Sequence, residues 1–163
     1  MSTGAPVASL PTDADVRGLI AGLLDKPVVV ATAPGPLLRG RDVRVVGSYV
    51  ADGGELRAVA LCDLSLGACL GAALALVPVP RCEEAIASGD VPPDLGENTR
   101  EVLNVAASLF NTAEAHLKLA QTWVAPEPVG EDVVALLRTS LHRVDLTVTV
   151  PGYGEGVLAL LLA

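Results

Sequence analysis

The sequence predicts an α+β fold in which a mostly antiparallel sheet forms one layer and helices pack on one of its faces. The chain has 163 residues, the size of one domain, and 51% of them are hydrophobic, which is enough for a sizeable core. The order helix, strand, strand, glycine-rich turn, strand occurs at residues 13–62 and again at 97–162, which indicates two diverged halves. Two such halves would pair into one pseudo-symmetric sheet of about six strands.

The single domain is predicted to cover residues 12–163, after a flexible N-terminal arm of residues 1–11. Hydrophobic periodicity, turn residues and caps predict these elements: a helix at about 13–25 capped by Thr12 or Asp13, strands at 28–32, 43–51 and 55–62, helices at about 64–77 and 81–88, a helix at 97–111, a strand at 116–124, a short helix or excursion at 131–139, and strands at 143–150 and 157–162. The last strand is apolar enough to need cover if it lies at a sheet edge, which would suit a homodimer.

Composition and charge exclude several classes of function. Lys and Arg total 11 and Asp and Glu total 19, giving a net charge of −8. Binding to nucleic acids or to anionic membranes requires clustered positive charge, so this composition argues against both. The most apolar stretch, Leu64–Val79, is short for a bilayer span and contains Pro78, so a buried helix is expected there. Three cysteines without a Cys-x-x-Cys pair, and no secretory signal in residues 1–12, predict a cytoplasmic protein with free thiols.

The helix at 97–111 carries the most informative polar pattern. Five polar residues step by 3, 3, 4 and 3 positions and line the face opposite its apolar residues: Asn98, Glu101, Asn104, Ser108 and Asn111. Asp94 is the expected N-cap, and the negative charge of Glu97 would interact favourably with the positive N-terminal end of the helix. Asn has a poor helix propensity, so three of them on one face favour a function over a merely solvated surface, which is the alternative interpretation.

The spacing of three residues resembles the signature of the CheC/CheX/FliY family of chemotaxis phosphatases. Glu101-x-x-Asn104 is followed after 21 residues by Pro126, and the family has Glu, two residues, Asn and a Pro a little over twenty residues on. Glu97 stands where the family has Asp or Ser. CheC-type members carry Glu-x-x-Asn on two helices, but the helix at 13–25 contains no Asn, so the chain looks most like single-site CheX.

The resemblance implies a phosphatase that hydrolyses the phospho-aspartate of a response-regulator receiver domain in chemotaxis or two-component signalling. Asn104 would orient the attacking water, and Glu101 would pair with a Lys beside the partner's phosphorylation site. Pro126 would shape a loop, and three further residues would contact the partner: Glu97, Asn98 and Ser108. The divalent metal, Mg²⁺, would belong to the receiver domain, so no cofactor of the chain's own is expected.

Two other functions stay open. A non-catalytic CheX-like interaction module could bind a receiver domain or dimerise, and Glu97 at the usual Asp or Ser position favours this alternative. A small-ligand sensor is the third class, for which the sequence gives no positive feature. The remaining chemistry-bearing residues are assigned to structure or solvent by default: His116, His142, Trp123 and the basic loop with Arg39, Arg41 and Arg44.

Overall fold

The computed structural model describes residues 8–112 and 115–163. Its helices and strands follow the predicted order: α1 (Asp13–Leu24), β1 (Val29–Thr32), β2 (Val43–Val50), β3 (Leu56–Asp63), α2 (Leu64–Leu74), α3 (Val79–Ser88), α4 (Pro93–Ala106), β4 (Lys118–Val124), α5 (Glu131–Thr139), β5 (His142–Val150) and β6 (Gly154–Leu162). Short 3₁₀ turns occupy Gly40–Asp42 and Ala107–Phe110. Residues 1–7 of the predicted arm lie outside the described residues, whereas Ala8 and Pro11 are buried.

The sheet has a pseudo-two-fold arrangement. All its strand pairs are antiparallel, and the strand order is β1-β5-β6-β3-β2-β4. The first half of the chain contributes β1, β2 and β3, and the second half contributes β4, β5 and β6 in equivalent roles. Each half places its first strand beside the hairpin of the other half, so the strand order is the same when it is read from either edge with the halves exchanged. The predicted α+β fold is therefore confirmed. β6 lies in the middle of the sheet, so the argument for a homodimer from an uncovered terminal strand is wrong.

Helices α1, α2 and α4 cover one face of the sheet and enclose the larger core. Of the two caps that the sequence left open for α1, Thr12 is the one that forms, in a reciprocal arrangement with Asp15. A small apolar cavity of about 20 Å³ is lined by Ile20 of α1 and Val102 of α4, which confirms that the two helices are adjacent. α2 is buried along most of its length, and none of the described helices is long and apolar enough to cross a membrane.

A smaller second core lies on the opposite face of the sheet. Val46, Val59 and Leu61 alternate along β2 and β3 with residues of the larger core, so they point away from α4. Here α5 supplies Val133 and Leu136. The sequence left residues 131–139 open between a helix and an excursion; they form a helix, and it packs on the face that the other core helices leave free.

A buried carboxylate fixes the loop before β2 to this second face. Asp145 is 3% exposed, and its Oδ2 accepts hydrogen bonds from the N–H groups of Leu37 (2.7 Å) and Leu38 (3.1 Å). Arg143 Nε donates to Asp145 Oδ1 at 2.6 Å, and Arg143 Nη2 also donates to the carbonyl of Leu38. Leu38 is thereby held in the second core.

Candidate functional site

The helix that carries the motif begins earlier and ends earlier than the sequence predicted. Pro92 is the N-cap of α4 and Pro93 its first residue, a position that suits proline because its fixed φ is already helical. The expectation that Asp94 caps the helix is wrong: it lies in the first turn and pairs with Arg81, with Nη2 and Oδ1 2.7 Å apart. Asn111 lies beyond the helix, and its Oδ1 accepts from the N–H of Leu117, which removes it from the polar face.

Close packing against α2 sets the position of α4. A Cβ atom added at Gly71 would overlap the carbonyl oxygen of Leu95, so the two helices approach with almost no side chain between them. Thr99 Oγ1 donates to the carbonyl of Gly67 at 2.6 Å, and Asn98 Nδ2 donates to the carbonyl of Gly71 at 3.1 Å. These two bonds fix the rotation of α4 about its axis.

The sheet holds the same helix from below. Tyr49 on β2 is fully buried, and its hydroxyl donates to the carbonyl of Leu103 at 2.7 Å. Its ring packs against Phe110, with 5.1 Å between the ring centroids. Because both contacts flank the last turn of α4, the face opposite them is directed to solvent.

That outer face carries the residues proposed from the sequence. Glu97, Glu101, Asn104 and Ser108 are all exposed, and helical spacing places Glu101 and Asn104 side by side, one turn apart. Within the described part of the chain, neither of these two side chains has a hydrogen-bond or ion-pair partner. Ser108 lies in the 3₁₀ turn, where its hydroxyl donates to the carbonyl of Val105. The polar groups of Glu101 and Asn104 are thus free to meet a docked molecule.

Two residues on this helix differ from the sequence interpretation. Asn98 is half-buried with its amide group bonded to Gly71, and its contact with a partner stays a prediction. Arg100, which the sequence analysis passed over, is exposed between Glu97 and Asn104 at spacings of three and four residues. The signal that could have identified it is the same helical spacing, applied to charge as well as to carboxamides.

The loop that follows β4 brings Pro126 to the start of the motif helix. Glu127 N–H donates to the carbonyl of Val124 at 3.0 Å, closing a turn in which the Ala125–Pro126 peptide is cis. A groove of about 560 Å³ separates this turn from α4, with Glu97 and Arg100 on its helical side. Pro126 therefore lies beside the helix that carries the other two motif residues: it lines the groove together with Glu97, and Glu101 and Asn104 continue along the exposed face of that helix.

The other candidates from the sequence lie elsewhere. Trp123 is 7% exposed and belongs to the second core, in agreement with its default assignment. His116 and His142 are exposed on separate strands or their flanks. Among the described residues, no group of three or more His, Cys, Asp or Glu side chains could hold a metal ion.

No protein-family model and no curated protein matches the sequence. The structure is similar to H. pylori FliM in a FliM–SpeE complex (TM-score 0.59, 6% identity, 92% of this chain and 80% of that one). It is also similar to Thermotoga maritima FliY (TM-score 0.51, 12% identity, 91% and 82%). A third neighbour is the Borrelia burgdorferi CheX–CheY–BeF₃ complex (TM-score 0.50, 10% identity, 92% and 93%). The fold implied by the resemblance to the CheC/CheX/FliY family is confirmed.

Proposed function

We propose that this protein, which has the fold of CheX and FliY, is a phosphatase acting on the phospho-aspartate of a response-regulator receiver domain. The observation that carries the proposal is the pair Glu101 and Asn104, exposed side by side on a helix that buried contacts hold in place. A solved CheX with this fold is in complex with CheY, which supports a receiver domain as the partner.

Hydrolysis of the phospho-aspartate would need few catalytic groups from the protein that supplies the helix. An acyl phosphate is already reactive, so hydrolysis needs an in-line water and charge stabilisation at the phosphoryl group. The carboxamide of Asn104 can both donate and accept hydrogen bonds, which suits it to orient that water. Glu101 would pair with a Lys of the receiver domain and fix the register of docking. The receiver would also bring its own Mg²⁺.

The neighbouring side chains would extend the contact surface. Glu97 and Ser108 lie on the same exposed face, one at each end of the Glu101–Asn104 pair. Pro126 lines the groove beside Glu97, where a loop of the partner could enter. We therefore assign Glu97 and Ser108 to partner binding and Pro126 to the shape of the loop, and we propose that Asn98, at the margin of this face, adds a contact beside its bond to Gly71.

The test is decay of the acyl phosphate on receiver domains encoded in the same genome, measured with and without this protein. Asn104→Ala should lower the rate by about 10²–10³-fold and leave binding intact, because the group acts on the water. Glu101→Ala should weaken both binding and rate, since it removes an anchoring ion pair. Gln121→Ala and Glu83→Ala remove an exposed carboxamide and an exposed carboxylate elsewhere and should change neither quantity.

The second candidate is a non-catalytic module that binds a receiver domain or another protein. Glu97 at the position where the family has Asp or Ser favours it, and solved FliM with this fold is in complex with SpeE or FliG. The two candidates differ in one outcome. If Asn104→Ala leaves the decay rate of a bound receiver unchanged, the catalytic proposal is wrong and the interaction module takes its place.

A further inference from the structure

A separate groove opens on the face of the sheet that α5 covers. This α5 groove lies between β2, the loop after β4 and α5, and its volume is about 540 Å³. That volume is in the range in which proteins bind small molecules. Four half-buried valine and leucine side chains line it: Val43, Val129, Val134 and Leu137. The proposed phosphatase site uses none of these four residues and shares only Pro126 of the turn after β4 with the groove.

The groove exists because the second core is incompletely covered. α5 has nine residues, and together with Leu38 it shields the centre of this face, where Val46 is 2% exposed. Val43, Val129 and Leu137 pack against the second core but stay half-buried. The apolar surface of the groove is therefore in contact with water, and an apolar ligand that displaces this water would bind favourably.

Charge at the groove selects for an anion. Arg44 on β2 and Arg138 in the last turn of α5 both line it, although the chain as a whole has a net charge of −8. Arg44 is half-buried as a residue, and its Nη1 donates to the carbonyl of Arg41 at 2.5 Å, which orients the guanidinium. Within the described residues neither arginine forms an ion pair, and Glu127 is the one acidic residue of the lining.

We propose that the α5 groove binds a small amphipathic carboxylate, with its apolar chain along Val43 and Leu137 and its carboxylate held by Arg44 and Arg138. A guanidinium matches a carboxylate with two parallel hydrogen bonds, and such charge-assisted bonds are strong where water is partly excluded. The turn at Ala125–Glu127 lines both this groove and the one beside Glu97, so the ligand would contact the loop next to the motif helix.

The lone tryptophan provides a direct readout of binding. Trp123 belongs to the second core, and a Cβ added at Gly130, next to Val129 of the groove, would lie 3.3 Å from its ring. Octanoate should change the fluorescence of Trp123 saturably and release heat in calorimetry. Octan-1-ol, which has the same chain without the charge, should bind more weakly by at least about tenfold, because it loses the pairing with both arginines.

Substitutions in the groove separate the charge from the apolar contact. Arg44→Gln and Arg138→Gln should each weaken octanoate binding by about tenfold and leave octanol binding unchanged. Glu127→Gln should tighten octanoate binding, because it removes the negative charge from the lining. Arg17→Gln on exposed α1 is the matched control and should have no effect. Arg138 is exposed, so its variant decides the matter if loss of Arg44 impairs folding.

Three results would overturn the proposal. The first is equal affinity for octanoate and octanol, which would reduce the groove to a non-selective apolar surface. The second is octanoate binding that survives both arginine substitutions. The third is no response to octanoate. If a leucine-rich acidic peptide then binds in an arginine-dependent way, the groove is a protein-docking surface. None of these measurements depends on phosphatase activity, so the two proposals can fail separately.

Discussion

Substitution of Gly71 by Ala tests how the motif helix is positioned. A Cβ at this residue would overlap the carbonyl oxygen of Leu95 and would lie 2.9 Å from both the carbonyl carbon of Leu95 and Thr99 Oγ1. Restoring an ordinary contact distance requires α2 and α4 to separate by about 1 Å. The obstacle is helix backbone, so a side-chain rotation cannot relieve it.

The expected cost follows from the loss of this close packing. Overpacking a well-packed core typically costs 1–3 kcal/mol, and a collision with backbone belongs at the upper end, about 3 kcal/mol. Separation of the helices would also stretch the bonds from Thr99 to Gly67 and from Asn98 to Gly71. For a chain of this size about 3 kcal/mol corresponds to a fall in Tm of about 6–12 °C.

Thermal and urea unfolding measure the effect, with Gly22→Ala as the matched control. Gly22 lies within α1, and a Cβ there would have nothing within 4 Å. The same chemical change should therefore raise stability at Gly22, by about 0.5–1 kcal/mol, because alanine loses less backbone entropy than glycine in a helix. Equal stability of Gly71→Ala and the parent would refute the argument that glycine is needed at this helix crossing.

Two further predictions concern buried ionisable groups. Burial by itself would raise the pKa of Asp145, but hydrogen bonds from Arg143 and the loop amides outweigh it and hold that pKa below its usual range. The ionised carboxylate of Asp145 therefore stabilises the fold above its unfolded-state pKa of about 4, and this stabilisation is lost as pH falls through the lower folded-state pKa. Asp145→Asn should lower the free energy of unfolding by about 2–3 kcal/mol at pH 7. In urea titrations the variant should also show a weaker loss of stability at acid pH than the parent. Burial raises the pKa of the Cys69 thiol to about 12 and also raises the pKa values of Cys62 and Cys82. Because all three thiols are buried and protonated at pH 8, a thiol reagent should label none of them in the native protein and all three in denaturant. Fewer than three labelled thiols after denaturation would reveal a disulfide.

Local sequence signals predicted the local structure well. Thr12 supplied an N-cap, and the regular spacing along α4 identified Glu101 and Asn104 as neighbours on an exposed face. Each of these features depends on residues within about one turn of one another, where backbone and side-chain preferences act directly. The error at Asp94 has the same origin, because an acidic residue near a helix start suits both a cap and the first turn.

The sequence did not predict the contacts between distant parts of the chain. β1 pairs with β5 and β2 with β4, so each half lends a strand to the other, and hydrophobic alternation does not encode a partner. Asn98 shares the polar spacing of its helix, yet it lies at the margin of the exposed face and bonds to α2. The apolar spacing at residues 131–139 left a short helix and an excursion open, and it carries no information on which face of the sheet α5 covers.

The two-fold arrangement also explains why one half of the chain is suited to carry a site. α1 and α4 occupy equivalent places in their halves, but their attachment differs. Thr99 and Asn98 bond α4 to the backbone of α2, whereas no side chain of α1 hydrogen-bonds to another helix in the part of the chain that the structure describes. A surface that must hold a water and a partner in register needs a helix whose rotation is fixed. If the proposed function holds, the glycines at 67 and 71 would belong to the same unit as Glu101 and Asn104, although they lie on a different helix and are buried beneath α4.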